Sequence, residues 1–224
     1  MKEIIQIAGV IDKPEAEMLM QLGVDYLGFP LRLPVNKEDL SEDEAVEVIK
    51  SIILPHRAVL ITYLNNAEEI IGFCEKLNVG IVQLHGKISG DELIKIKQLR
   101  PDLEIIKSLV IAENNFDELE NIVSTQSEWI DVYITDTFDP VTGAEGATGK
   151  THDWSISRKI VEISSKPVII AGGLNPLNVK KAILEIRPTG VDVHTGVESN
   201  DGRKSFDLVK KFVEESKEGF ALIG

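Results

Sequence analysis

The chain has 224 residues, a formal net charge of −13 at pH 7 and a single cysteine. That length suits one α/β domain, and the acidic balance argues against non-specific nucleic-acid binding or adhesion to anionic lipid, both of which need a cationic surface. The lone Cys74 excludes an intrachain disulfide framework and a cysteine-rich metal site.

Short β-branched runs alternate eight times with longer amphipathic segments. In chain order the first four strand–helix pairs are Ile4–Ala8 with Pro14–Leu22, Tyr26–Phe29 with Glu42–Ile53, Ala58–Tyr63 with Ala67–Leu77, and Ile81–Leu84 with Gly90–Leu99. The second four are Glu104–Leu109 with Phe116–Thr125, Asp131–Thr135 with Ser155–Ile163, Pro167–Ala171 with Pro176–Ile186, and Val191–His194 with Ser205–Lys217. Eight βα units in this length predict a single (β/α)8 barrel over residues 1–224, with an open doubly wound sheet as the alternative. Near-continuous apolar runs fit strands covered on both faces. Helix starts are marked by Asp12 before Lys13-Pro14, by Ser41 three residues before Glu44, and by Asn175 before Pro176. The Gly/Thr-rich stretch from Asp136 to Asp153 reads as a functional loop rather than a domain boundary. Apolar runs too short for a membrane span, and an N-terminus without a signal-peptide pattern, make a cytoplasmic protein the expectation.

A barrel places its chemistry at the C-terminal ends of the strands and in the loops that follow. Those positions here carry Ala8-Gly9, Gln83-Leu84-His85-Gly86, Lys107-Ser108, Asp136, Ala171-Gly172-Gly173 and His194-Thr195-Gly196. Glycines after strands seven and eight let backbone N–H groups approach an anion, and helix N-termini add partial positive charge. Gly172, Gly173, Thr195 and Gly196 are therefore expected to bind the phosphate of a phosphorylated small molecule. The four histidines and scattered carboxylates show no compact ligand spacing, so no metal is expected.

Five segments in the same order resemble phosphoribosylanthranilate isomerase. They are Gly23-Val24-Asp25-Tyr26-Leu27-Gly28-Phe29, Val82-Gln83-Leu84-His85-Gly86, Gly146-Ala147-Thr148-Gly149-Lys150-Thr151-His152-Asp153-Trp154, the run from Ala171 to Val179, and the run from Val191 to Ser199. The resemblance implies a cofactor-free Amadori rearrangement in tryptophan biosynthesis, converting a phosphoribosyl aminoaldose into an aminoketose. It implies Asp136 as the general acid, with Gln83 and His85 supporting the substrate, in a monomer or homodimer.

Two positions depart from the family. Where it reads Lys-Ile-Cys-Gly at the end of strand one, this chain reads Gln6-Ile7-Ala8-Gly9. Strand alternation points Ile4, Gln6 and Ala8 into the barrel, so a methyl group stands where the family's proton-accepting thiol is expected. Glu38 falls near the position of the family's carboxylate-binding arginine. Arg32 or Lys37 is a candidate to reach the ligand instead, and His194 is a candidate replacement base. A different reaction on a phosphorylated substrate, such as an aldolase or epimerase step, and a catalytically weak ligand-binding barrel stay open as alternatives.

Overall fold

Each of the eight apolar runs forms a strand, and each strand is followed by a helix. In a computed structural model that describes residues 3–34, 40–137 and 153–224, the elements are β1 (Ile4–Ala8), α1 (Lys13–Gln21), β2 (Tyr26–Pro30), α2 (Glu42–Ile49), β3 (Arg57–Thr62), α3 (Ala67–Leu77), β4 (Ile81–Leu84) and α4 (Gly90–Leu99). They continue as β5 (Glu104–Ile111), α5 (Phe116–Gln126), β6 (Val132–Thr137), α6 (Trp154–Ile163), β7 (Val168–Ile170), α7 (Val179–Ile186), β8 (Gly190–Val193) and α8 (Phe206–Ala221). The strands pair in chain order into a closed parallel barrel, with Gln6 of β1 beside Tyr26 of β2 on one side and beside Asp192 of β8 on the other. The fold is a (β/α)8 barrel, as the eightfold alternation predicts.

Period-two alternation divides the core into two shells. Outward-facing Ile5, Ile7, Leu27, Phe29 and Leu60 join the apolar faces of the helices in one large cluster, where Cys74 of α3 is fully buried. Inward-facing Ala8, Val59, Ile61, Ile106, Ile134 and Ile169 fill the barrel. The floor of the barrel is polar. Arg57 Nη1 donates to Glu104 Oε2 at 2.6 Å, and the Tyr26 hydroxyl donates to Glu104 Oε1 at 3.2 Å.

The helix starts are mostly as the sequence implies. Asp12 Oδ1 accepts from the Glu15 N–H at 2.9 Å, and Ser41 with Glu44 closes a reciprocal capping box. Several boundaries differ by one to four residues. Helix α2 stops at Ile49 rather than Ile53, because Ser51 and Ile52 turn back onto the carbonyls of Val48 and Ile49. Helix α7 begins at Val179 rather than Pro176, because Asn175 Oδ1 accepts from Leu177 N–H at 2.8 Å and closes a local turn instead of capping the helix. Strand β6 runs on to Thr137, so Asp136 lies within the strand and not just beyond it. Lys37, Glu38, His152 and most of the glycine-rich 136–153 stretch lie outside the described residues.

Candidate active site

The loops after β7 and β8 are built around backbone shapes that side chains would obstruct. Gly172 and Gly173 have φ of +89° and +65°, a left-handed conformation that glycine adopts without a Cβ penalty. A Cβ placed on Gly196 would lie 1.9 Å from the Leu174 carbonyl oxygen, so the two loops meet backbone to backbone. Asn178 ties the first loop together by donating from Nδ2 to the Gly173 carbonyl at 3.0 Å and accepting from Asn175 N–H at 2.8 Å. Between the loops lies a cavity of about 230 Å³ lined by Asp136, Gly172, Gly173, Asn175, Asp192, His194, Thr195 and Gly196, among others. A single turn of 3-10 helix, Thr195–Val197, begins at its edge.

The second loop is anchored from below by a buried lysine. Lys204 Nζ donates to Glu198 Oε1 at 2.6 Å and to the His194 carbonyl at 3.3 Å, while its backbone N–H donates to Glu15 Oε1 at 2.8 Å. Glu15 also accepts from Ile11 N–H at 3.0 Å, which joins the loop after β1 to the loop after β8. The His194 ring is mostly buried beside this ion pair, its Nε2 3.4 Å from Glu198 Oε1. Burial, reinforced by the Lys204 ammonium, pushes the His194 imidazole down to about 3 and keeps it neutral.

Two carboxyl groups project into the cavity from the barrel wall. Burial holds Asp136 above the ordinary carboxylate range, opposed by charge on His85 and by the Thr137 N–H, which donates to Oδ1 at 2.7 Å. Asp192 is pushed up to about 7, first by burial and then by the neighbouring Asp136 charge, with Gln6 and Lys204 acting in the opposite direction. Asp192 Oδ1 is buried and has no hydrogen-bond partner.

A chain of polar side chains crosses the barrel interior beneath this site. Gln6 Nε2 donates to Gln83 Oε1 at 2.8 Å, Gln83 Nε2 donates to Ser108 Oγ at 3.3 Å, and His85 Nδ1 lies 2.8 Å from the same hydroxyl. The edge of the His85 ring meets the Tyr63 ring at a centroid distance of 4.9 Å. His85 also lines a second cavity, of about 390 Å³, with Lys107, Ser108 and Asn115. Lys107 Nζ donates to the carbonyls of Leu84, Gly86 and Ser108, which steadies the turn after β4.

The structure therefore brings Asp136, Gly172, Gly173, His194, Thr195 and Gly196 to one cavity. Gln83 and His85 sit in the polar chain rather than on that cavity's wall. Arg32 is turned toward α2 and α3: its Nε donates to Glu42 Oε1 at 2.8 Å, and its guanidinium lies 3.9 Å from the Phe73 ring centroid. Ala8 packs in the inner apolar shell. The sequence reading places Gln6 and Ser108 at the barrel interior and a strand end without a site role, and gives Asp192 and Lys204 none. For Asp192 the signal was present, since a residue two before His194 on a strand shares its inward face. Among the described residues, no group of three or more His, Cys, Asp or Glu side chains could hold a metal ion, and no helix is long and apolar enough to cross a membrane.

The model of the N-(5′-phosphoribosyl)anthranilate (PRA) isomerase family matches residues 5–215. The chain belongs to that family. N-(5′-phosphoribosyl)anthranilate isomerase 2 of Methanosarcina mazei is 35% identical over 218 residues, covering 96% of this chain and 95% of the relative. The Aquifex aeolicus isomerase is 32% identical over 216 residues, covering 95% and 98%. Among solved structures, the phosphoribosyl anthranilate isomerase of Thermotoga maritima superposes with a TM-score of 0.81 at 26% identity, covering 96% of this chain and 99% of the other.

Proposed function

We infer that this PRA isomerase-family protein converts N-(5′-phosphoribosyl)anthranilate into the corresponding aminoketose, an Amadori step of tryptophan biosynthesis. The observation that carries the reading is the position of Asp136, a buried carboxyl held above its ordinary range on the wall of the glycine-lined cavity. The glycine loops after β7 and β8 take the phosphate with backbone N–H groups and the Thr195 hydroxyl, which suits a cavity wall without lysine or arginine among the described residues.

The reaction is a sequence of proton transfers without net oxidation, so side chains suffice. Asp136 gives its proton to the ribose ring oxygen as the C1–O bond opens, leaving a Schiff base between C1 and the anthranilate nitrogen. Removal of the C2 proton then gives the enolamine that becomes the ketone. The protein acts on this phosphorylated substrate in the cytoplasm, as a monomer or homodimer.

Turnover of N-(5′-phosphoribosyl)anthranilate by the purified protein tests the reading, alongside growth of a tryptophan auxotroph lacking the isomerase. Asp136→Asn is expected to lower kcat by about 10²–10⁴-fold. Binding of inorganic phosphate without any turnover would reject the isomerase and favour a ligand-binding barrel. The engagement of Arg32 with Glu42 favours one second reading, a phosphorylated substrate without the anthranilate carboxylate. Turnover of the unsubstituted phenylamine analogue in preference to the anthranilate would establish it.

A further inference from the structure

We propose that Asp192 is the proton acceptor of the isomerisation, taking the C2 proton from the wall of the cavity that Asp136 also lines. The proposal rests on the isomerase reading and names the group that completes it. The reaction requires a base near C2, and the end of β1 offers only the Ala8 methyl. Asp192 is an inward-facing residue of β8, in register with Gln6 and therefore beside the end of β1. It is more than nine-tenths buried, and its Oδ1 has no hydrogen-bond partner. A buried carboxylate oxygen left without a donor costs free energy, and structures normally avoid it. Here the open oxygen belongs to a residue lining the cavity that holds the candidate acid.

The other candidate bases are less suited. His194 lies beside Glu198, and burial with the Lys204 ammonium makes its imidazole a poor proton acceptor. His85 is engaged with Ser108 and Tyr63 and lines the other cavity. The sole cysteine is buried in the outer shell, where its thiol is pushed up to about 12.

The two carboxyl groups divide the work. Burial and the neighbouring Asp136 charge raise Asp192 to about 7, against Gln6 and the Lys204 ammonium, so near neutrality it passes between base and acid, and Asp136 takes the part of first proton donor. After Asp136 has protonated the departing ring oxygen, the Asp192 carboxylate takes the C2 proton. The C2–H electron pair forms the C1=C2 bond, and the C1=N pair moves to the nitrogen. Return of one proton to C1 and loss of one from the C2 hydroxyl gives the ketone and restores both carboxyl groups. No proton or electron is gained or lost in sum.

Activity is then expected to fall as pH drops through about 7, where Asp192 takes up a proton. The ionisable groups that face it are Asp136 on β6, Lys204 before α8, and His194 at the end of its own strand, with Glu198 beyond them. The neutral Gln6 faces it from β1.

The test compares wild type, Asp192→Asn, Ala8→Cys and the double variant Ala8→Cys/Asp192→Asn. Turnover of N-(5′-phosphoribosyl)anthranilate and binding of inorganic phosphate are measured for each. Asp192→Asn is expected to lose about 10²–10⁴-fold in kcat with phosphate binding retained and with the acidic limb of the pH profile removed. A thiol at position 8 is expected to recover at least tenfold of that loss in the double variant. An Asp192→Asn enzyme within threefold of an active wild type would overturn the assignment while leaving the isomerase intact. Loss of phosphate binding together with turnover, without rescue by Ala8→Cys, would overturn it in favour of a structural role. An inactive wild type that still binds phosphate would overturn the isomerase reading, and the proposal with it.

Discussion

The His194 ring lies against Gly9, so closely that a Cβ on Gly9 would come within 2.1 Å of His194 Nε2. Gly9 also has a φ of +78°, so two independent constraints converge on the turn after β1. Gly9→Ala is expected to displace the histidine and open the rim of the candidate phosphate cavity. The expected loss is about 1–3 kcal/mol of stability in urea unfolding. Weaker binding of inorganic phosphate, read by calorimetry, should accompany it.

Gly196→Ala should do similar damage for a different reason. The obstructing atom is the Leu174 carbonyl oxygen, part of the backbone, which no rotamer change can move aside. Both the stability, by about 1–3 kcal/mol, and the affinity for phosphate should fall. Gly72, exposed within α3 with nothing within 4 Å of its would-be Cβ, provides the contrast. Gly72→Ala should stabilise the protein by about 0.5–1 kcal/mol without altering phosphate binding.

The His194 imidazole should remain neutral across the working range. Its resonance, assigned with a His194→Gln variant, is expected to stay flat between pH 8 and pH 5 in an NMR titration. Because the folded-state pKa is lowered to about 3 from 6.5, the unfolded chain binds the proton first. Stability is therefore lost as pH falls below about 6.5, and His194→Gln should reduce that loss.

Asp192 pulls in the opposite direction over an overlapping window. Its pKa is raised from 3.8 to about 7, so the folded protein binds the proton more tightly than the unfolded chain. Stability contributed by the protonated form is present below about pH 4 and is lost as pH rises through 7. Asp192→Asn should therefore make the protein more stable than wild type at pH 8, by up to about 4 kcal/mol, and by much less at pH 4. Urea unfolding of the two proteins at both pH values measures the difference. A stability gain paired with a loss of turnover would mark Asp192 as a residue kept for chemistry.

Much of the barrel was legible because strand burial and helix capping leave local marks. The alternation in Gln6-Ile7-Ala8 identified the inward face of β1, and the glycine clusters identified the two loops that meet at Gly196. The Asn175-Pro176 signal misled because an asparagine can close its own turn as readily as cap a helix, and the fold used Asn178 to brace that turn. Arg32 was read as available to a ligand, since nothing local announces a guanidinium bound to Glu42 ten residues away and laid on Phe73 of another helix. Lys204 was invisible for the same reason: its partners Glu198, His194 and Glu15 come together only when the last loop docks on the first.

Among the described residues, all that line the candidate phosphate cavity come from β6, β7 and β8 and the segments that follow them. A ligand gripped from that single arc leaves the opposite rim, over β2 to β4, without a hand in holding the phosphate. Changes on that rim can retune which amine hangs from the sugar while the proton-transfer apparatus stays untouched. Anchoring and selection of the substrate would then fall to different arcs of the barrel, and a change of substrate range is expected to be made on the arc that leaves the anchor alone.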